Sequence, residues 1–221
     1  MKWLVVVWLL LCTPTATAQE VPTIRFTEKD GLPHAIVYRI MQDSKGYLWV
    51  STDNGLSRFD GSQFVNYTKS DGLGSNFIFN VLETDHRNLL IASYEGGIME
   101  YRFQKGFRQH TSFQKIPYPI DLFQTKYGLF VTDRNYNLFL NGKKKSSSIA
   151  AVFERKNGDL LGVGSDCIFK FNPKKKNFDC VKTVPKGAFY NSIIELRDGR
   201  LLIAEHLSLI HISEPTRREW L

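Results

Sequence analysis

The sequence predicts an all-β fold built from tandem copies of one four-stranded antiparallel unit, and three observations carry that prediction. First, Asp43-Ser-Lys-Gly-Tyr-Leu-Trp-Val-Ser-Thr-Asp-Asn-Gly-Leu-Ser-Arg-Phe59 returns 42 residues later as Asp85-His-Arg-Asn-Leu-Leu-Ile-Ala-Ser-Tyr-Glu-Gly-Gly-Ile-Met-Glu-Tyr101. Second, the core of that unit, a turn residue followed by a β-prone apolar run, starts at Gly46, Asn88, Gly128, Gly158 and Gly199, in steps of 42, 40, 30 and 41 residues. Third, the intervals hold hairpin dipeptides such as Asn54-Gly55 and Asp60-Gly61, which supply the positive φ that tight β-turns need. A period near 42 is what four short strands and their turns occupy, and such self-similarity marks a β-propeller blade. The predicted architecture is an incomplete β-propeller of about four to five blades over residues 19–206.

Residues 1–18 read as a secretory signal peptide: Lys2 begins it, Trp3 to Cys12 form its apolar core, and Ala16-Thr-Ala18 precedes a cut before Gln19. The apolar run is too short to span a bilayer. Cys12 follows three leucines, so no lipid anchor is read there. The expected location is periplasmic or extracellular, where thiols meet an oxidising compartment.

At the start of the mature chain, Thr23 to Leu32 overlays Phe64 to Leu73 with coincident Thr, Asp, Gly and Leu. Ile24 to Thr27 is therefore expected to be an outer strand that closes a blade whose other strands lie elsewhere, as propellers close their rings to remove sheet edges. In the first full unit Val37 to Gln42, Tyr47 to Thr52 and Gln63 to Thr68 are expected strands, with Asn54-Gly55 and Asp60-Gly61 as turns. Leu48, Val50, Leu56 and Phe59 supply apolar faces, and Trp49 is expected to pack between blades. The third unit is short, so its fourth strand should be curtailed or lost between Lys143 and Ser148.

Cys167 and Cys180 flank a turn expected at Asn172 to Asn177. That turn sets Phe169 opposite Phe178 and Cys167 opposite Cys180, within reach of a cross-strand disulfide; two buried thiols are the other reading.

From Leu207 to Arg217 the string Leu-Ser-Leu-Ile-His-Ile-Ser-Glu-Pro-Thr-Arg resembles the translated transposase adapter of sequencing libraries. Residues 207–221 are accordingly set aside as an artefactual tail, and the reading frame is expected to be a truncated part of something longer. An open ring of this kind is expected to be marginal and prone to aggregate through unpaired edges.

Without both ends the chain keeps 26 Lys and Arg against 20 Asp and Glu, a net charge of +6 compared with +7 for all 221 residues. The basic runs Lys143 to Lys145 and Lys174 to Lys176 are expected at turn tips. With export, this disfavours a nucleic-acid partner. No Gly-x-Ser-x-Gly, His-Glu-x-x-His or Walker loop occurs, so no catalytic residue is assigned. Asp133-Arg-Asn-Tyr-Asn137 begins like a calcium loop, but Leu138 stands where Gly is needed and Lys144 where Glu is needed; it is read as a turn. His34, His86 and His110 are expected on separate loops. No metal or cofactor is expected.

The run from Gly31 to Gly61, with Phe64, Tyr67 and Gly72-Leu73, resembles the repeat of the two-component regulator propeller family, most closely in the first unit and well in the second. Pro33 and His34 depart from the small polar residues usual there. The resemblance implies the exported sensor region of a bacterial histidine kinase or hybrid two-component receptor, with a β-sandwich, membrane helix and kinase downstream. It further implies a small-molecule or oligosaccharide ligand, membrane contact only through the downstream part, and homodimerisation as an open option for the complete receptor. An exported propeller enzyme acting on polysaccharide and an adhesion scaffold are the alternatives. Propeller ligands sit at the channel mouth, on loops between blades and between second and third strands, which makes His34, Asp53, Asn54, Tyr94 and Glu95 the candidate ligand-binding residues.

Overall fold

The computed structural model describes residues 23–113, 115–184, 190–205 and 211–213; the signal-peptide segment lies outside them. Among the described residues nineteen strands form five antiparallel sheets, each from strands consecutive in the chain. Blade 1 holds β1 (Val37–Gln42), β2 (Leu48–Thr52), β3 (Gly55–Phe59) and β4 (Phe64–Tyr67). Blade 2 holds β5 (Ile78–Glu83), β6 (Leu89–Ser93), β7 (Gly97–Arg102) and β8 (Gly106–Gln109). Blade 3 holds β9 (Pro119–Thr125), β10 (Gly128–Asp133), β11 (Asn137–Leu140) and β12 (Lys143–Ser147). Blade 4 holds β13 (Ile149–Glu154), β14 (Leu160–Gly164), β15 (Cys167–Asn172) and β16 (Asn177–Thr183). β17 (Tyr190–Glu195) and β18 (Leu201–Glu205) begin a fifth sheet, and His211–Ser213 of the tail set aside above pairs with β18 as β19.

Apolar residues lie on both faces of each sheet, so a blade buries them only by meeting two neighbours. Four cores result, one at each junction. Trp49 and Leu56 of blade 1 meet Ile78, Val81, Ile91 and Met99 of blade 2. Leu90, Ala92 and Ile98 meet Leu122, Leu129 and Val131 of blade 3. Phe130, Leu138 and Leu140 then meet blade 4 through Ile149, Val152 and Phe178, and Leu161, Val163 and Ile168 meet Ile193, Leu201 and Ile203. Trp49 is fully buried at the first junction, the inter-blade role expected of it.

Polar groups tie the same junctions. Glu83, ending β5, accepts from the Ser44 amide and hydroxyl of the preceding blade, both at 2.7 Å. At the fourth junction Glu195 takes the Arg155 guanidinium at 2.8 Å and the Lys156 amide at 2.9 Å. Burial alone would raise the Glu195 carboxyl, but the Lys156 amide and Arg155 outweigh it and hold it below its ordinary value.

Several expectations are corrected. The fourth strand of the third blade is present as β12, built largely of Lys and Ser. An outermost strand needs only its backbone for pairing, and charged side chains suit an exposed edge. The shortening falls instead in the connection to blade 4, a single residue, Ser148, at φ 77. Lys143 to Lys145 therefore lie in a strand, whereas Lys174 to Lys176 occupy the β15–β16 turn.

Ile24 to Thr27 forms no strand; Ile24 is exposed, and Phe26 packs on Phe59 and Phe64 with ring centroids 5.0 and 5.6 Å apart. The overlay that suggested the strand holds one step further on. Thr27 and Asp30 cap a 3-10 turn that ends at Gly31 with φ 100, and Thr68, Asp71 and Gly72 rebuild it with φ 101. In the β2–β3 hairpin Thr52 pairs with Gly55, so the turn residues are Asp53 and Asn54, not Asn54 and Gly55.

Cys167 and Cys180 are joined as a disulfide with Cα atoms 5.8 Å apart, although not in the expected register. Phe171 pairs with Phe178 and Phe169 with Cys180, and an irregularity between Ile168 and Phe169 offsets Cys167 to face Thr183.

Candidate functional site

In blades 1 to 3 the second strand ends in a turn whose first residue is fixed by one backbone hydrogen bond. The amides of Asp53, Tyr94 and Arg134 donate to the carbonyls of Ile36, Phe77 and Tyr118, the residues leading into β1, β5 and β9, at 3.4, 3.0 and 3.1 Å. Blades 1, 2 and 3 thus present Asp53, Tyr94 and Arg134 at one repeat position, with Ile36, Phe77 and Tyr118 beside them. This is the inner rim of the propeller.

The rim is aromatic. Tyr38 lies 5.5 Å from Phe77 and 5.2 Å from Phe79; Tyr94 is 5.7 Å from Phe77 and 4.9 Å from Tyr118. The run crosses three blades without a break. Tyr38 and Tyr118 are exposed. At one end the Tyr38 hydroxyl donates to Asp53 Oδ1 at 2.8 Å; lost hydration first, then the Asp53 carboxylate, push the phenol up to about 12. At the other end Arg134 Nη1 donates to the Tyr94 hydroxyl at 2.8 Å, with the guanidinium 5.8 Å from the Tyr94 ring centre and 5.3 Å from that of Tyr118. Beside this group opens a cavity of about 700 Å³ lined by Tyr94, Glu95, Gln109 and Tyr118. Gly74 and Gly96 approach closely at its wall: a Cβ on Gly96 would lie 2.4 Å from the Gly74 carbonyl carbon.

Of the residues expected here, Tyr94 and Glu95 line the cavity and Asp53 joins the rim through Tyr38. His34 and Asn54 serve their own surroundings. His34 Nδ1 accepts from the Ile36 amide at 3.2 Å, and Asn54 Oδ1 accepts from Asn76 at 3.4 Å. Arg134, Tyr118, Tyr38, Phe77 and Phe79 were missed. Arg134 was recoverable, since it stands 40 residues after Tyr94 as Tyr94 stands 41 after Asp53. Its neighbour Asp133 is spent within its own turn, accepting from the Asn135 and Asn137 amides at 2.8 and 3.0 Å.

Below the rim, Arg39, Asn80 and Asp121 occupy equivalent inner-strand positions, opposite Ser51, Ala92 and Thr132. Asn80 Nδ2 donates to Asp121 Oδ1, linking blades 2 and 3. Burial pushes the Asp121 carboxyl up to about 6, against the opposing pull of Arg39. A raised carboxyl pKa means that the fold favours the neutral form, so its contribution is full below the unfolded value near 4 and is lost as pH rises through 6. Two pH units correspond to roughly 3 kcal/mol. Asp121→Asn is expected to flatten the stability profile between pH 4 and 6, and thermal melts of both proteins across that range check it; parallel profiles would refute the assignment.

A second cleft, of about 460 Å³, lies between blades 2 and 3 and brings together His86 and His110, which the sequence had placed on separate loops. Burial holds the His110 imidazole below its ordinary pKa. Among the described residues no group of three or more His, Cys, Asp or Glu could hold a metal ion, and no helix is long and apolar enough to cross a membrane.

Residues 31–54 match the family model of the two component regulator propeller. The fold resembles the extracellular domain of what is described as a hybrid two component system of B. thetaiotaomicron, at TM-score 0.54 and 17% identity, over 87% of this chain and 35% of that one. A second such domain from the same organism gives TM-score 0.64 and 18% identity over 83% of this chain and 30% of its own. A gluconolactonase from Xanthomonas campestris gives TM-score 0.55 and 10% identity over 78% of this chain and 70% of its own. Among curated proteins, none matches the sequence. The chain spans about a third of the length of the two B. thetaiotaomicron structures, and at these identities the likeness establishes the fold, a β-propeller.

Proposed function

We propose that this chain is a noncatalytic, extracytoplasmic ligand-sensing propeller of a two-component signal transduction receptor, and that its ligand is a saccharide held on the inner rim. The observation that carries the reading is the aromatic run from Tyr38 to Tyr118 beside the cavity at Tyr94 and Glu95. Sugar rings offer apolar C–H faces that stack on aromatic side chains, while their hydroxyls seek a few fixed polar partners; an aromatic run with polar groups beside it, such as Glu95 and Gln109, meets both needs. The matched repeat at residues 31–54 and the likeness to extracellular domains of two component systems support the receptor context. A ligand spanning rim residues of blades 1 to 3 would favour the relative placement of blades that binds it best, and so bias whatever is coupled to them.

The test is calorimetric titration of the purified chain with neutral oligosaccharides. Tyr94→Ala is expected to weaken binding at least tenfold in a protein whose circular dichroism shows that it remains folded. Binding that is indifferent to Tyr94→Ala would move the site elsewhere, and turnover of any glycan in the panel would favour an exported propeller enzyme instead.

A further inference from the structure

We propose that the rim selects a saccharide bearing a carboxylate, such as a hexuronate residue, and that Arg134 is the residue that reads the acid. The inference rests on the rim being the ligand site.

A guanidinium carries five N–H donors in a planar fork. Arg134 is exposed, its flat cation is held over two tyrosine rings, and one donor is spent on the Tyr94 hydroxyl. Among the described residues, the ion pairs involve Arg102, Lys126 and Arg155, among others, but never Arg134. Two neighbouring acids are already committed. Asp133 is buried and bonded within its own turn, and Asp53, at the equivalent position of blade 1, takes the Tyr38 hydroxyl. A cation fixed by stacking gives up little freedom when it binds, and a planar fork matches the two oxygens of a carboxylate better than the scattered hydroxyls of a neutral sugar. The aromatic rings beneath it accept the sugar face while the guanidinium engages the acid.

Glu95 is the opposing charge. It lies exposed on the cavity beside Tyr94 and Tyr118, the two rings that Arg134 covers, where it would repel densely charged polyanions, so the arrangement suits one carboxylate placed at Arg134.

The test titrates the purified chain with digalacturonic acid and with the same disaccharide after carboxyl reduction. The acid is expected to bind at least tenfold tighter than its neutral counterpart, with affinity that falls as salt rises. Arg134→Gln should erase that preference, the acid and its neutral counterpart then binding alike, and Arg134→Lys should restore part of it. Equal binding of the two probes, or a preference that survives Arg134→Gln, would overturn the proposal and leave the rim intact as a saccharide site. Binding of the acid that is unchanged by Tyr94→Ala would overturn the rim reading and the proposal together.

Discussion

Trp49→Ala is expected to destabilise the chain by about 3–5 kcal/mol, the range for truncating a large buried aromatic. Trp49 is fully buried, lies 5.8 Å from Tyr67 of its own blade, and reaches across the junction to Tyr101 at 5.5 Å. Its indole N–H donates to Asp43 Oδ2 at 2.8 Å, while the other oxygen of that carboxylate accepts the Lys45 and Tyr47 amides at 2.9 and 3.0 Å and so shapes the β1–β2 turn. Truncation opens a cavity between two blades and strips a partner from a carboxylate that is itself buried. Against a total stability of about 5–15 kcal/mol for a domain, that is a large fraction. Trp49→Phe keeps much of the packing but still orphans Asp43 Oδ2, and is expected to cost about 1–3 kcal/mol. Urea unfolding followed by circular dichroism measures both; a cost under 1 kcal/mol for Trp49→Ala would show that the first junction does not depend on the indole.

Gly96→Ala is the second large effect, about 1–3 kcal/mol or more from overpacking. The added carbon would stand 2.4 and 2.6 Å from Gly74 backbone atoms and 2.5 Å from Ser93 Oγ. A flexible side chain could swing aside, but the Gly74 main chain cannot move without displacing the connection between blades 1 and 2. Because Gly96 follows Tyr94 and Glu95 in one turn, the same substitution should also weaken ligand binding. Gly61→Ala is the control: its φ of 100° is costly for any side chain, yet nothing lies within 4 Å of the new Cβ. It is expected to lose about 1–2 kcal/mol with binding intact. A Gly96→Ala protein that melts and binds like the parent would show that the backbone contact relaxes freely.

Much of the architecture was legible because blades repeat their chemistry along the chain. All five second strands stand where the turn-plus-apolar pattern put them, since both signals are local. What was not legible depended on partners distant in sequence or on single-residue irregularities. A short third unit shows that residues are missing but not where, and the economy proved to lie in the connection at Ser148. Ile24 to Thr27 carries a strand-like pattern, yet a strand exists only when another backbone pairs with it. The irregularity between Ile168 and Phe169 leaves no mark in composition, so the partner of Cys167 was legible and its register was not. At the rim, Tyr94 and Glu95 were visible as turn residues at a repeat position. Arg134 was hidden by its neighbours, because Asp133, Asn135 and Asn137 invite comparison with a cation loop. Phe77 and Tyr118 come from irregular connections, where periodicity says nothing.

Among the described residues each sheet takes its strands in unbroken chain order, and blade meets blade at four successive seams. Such a molecule behaves thermodynamically as a row of coupled links, not as one indivisible solid. Its middle members are braced on two sides and those at either extremity on one, so protection against hydrogen exchange should fade outward, and severing a seam should part the row into two segments that each remain ordered.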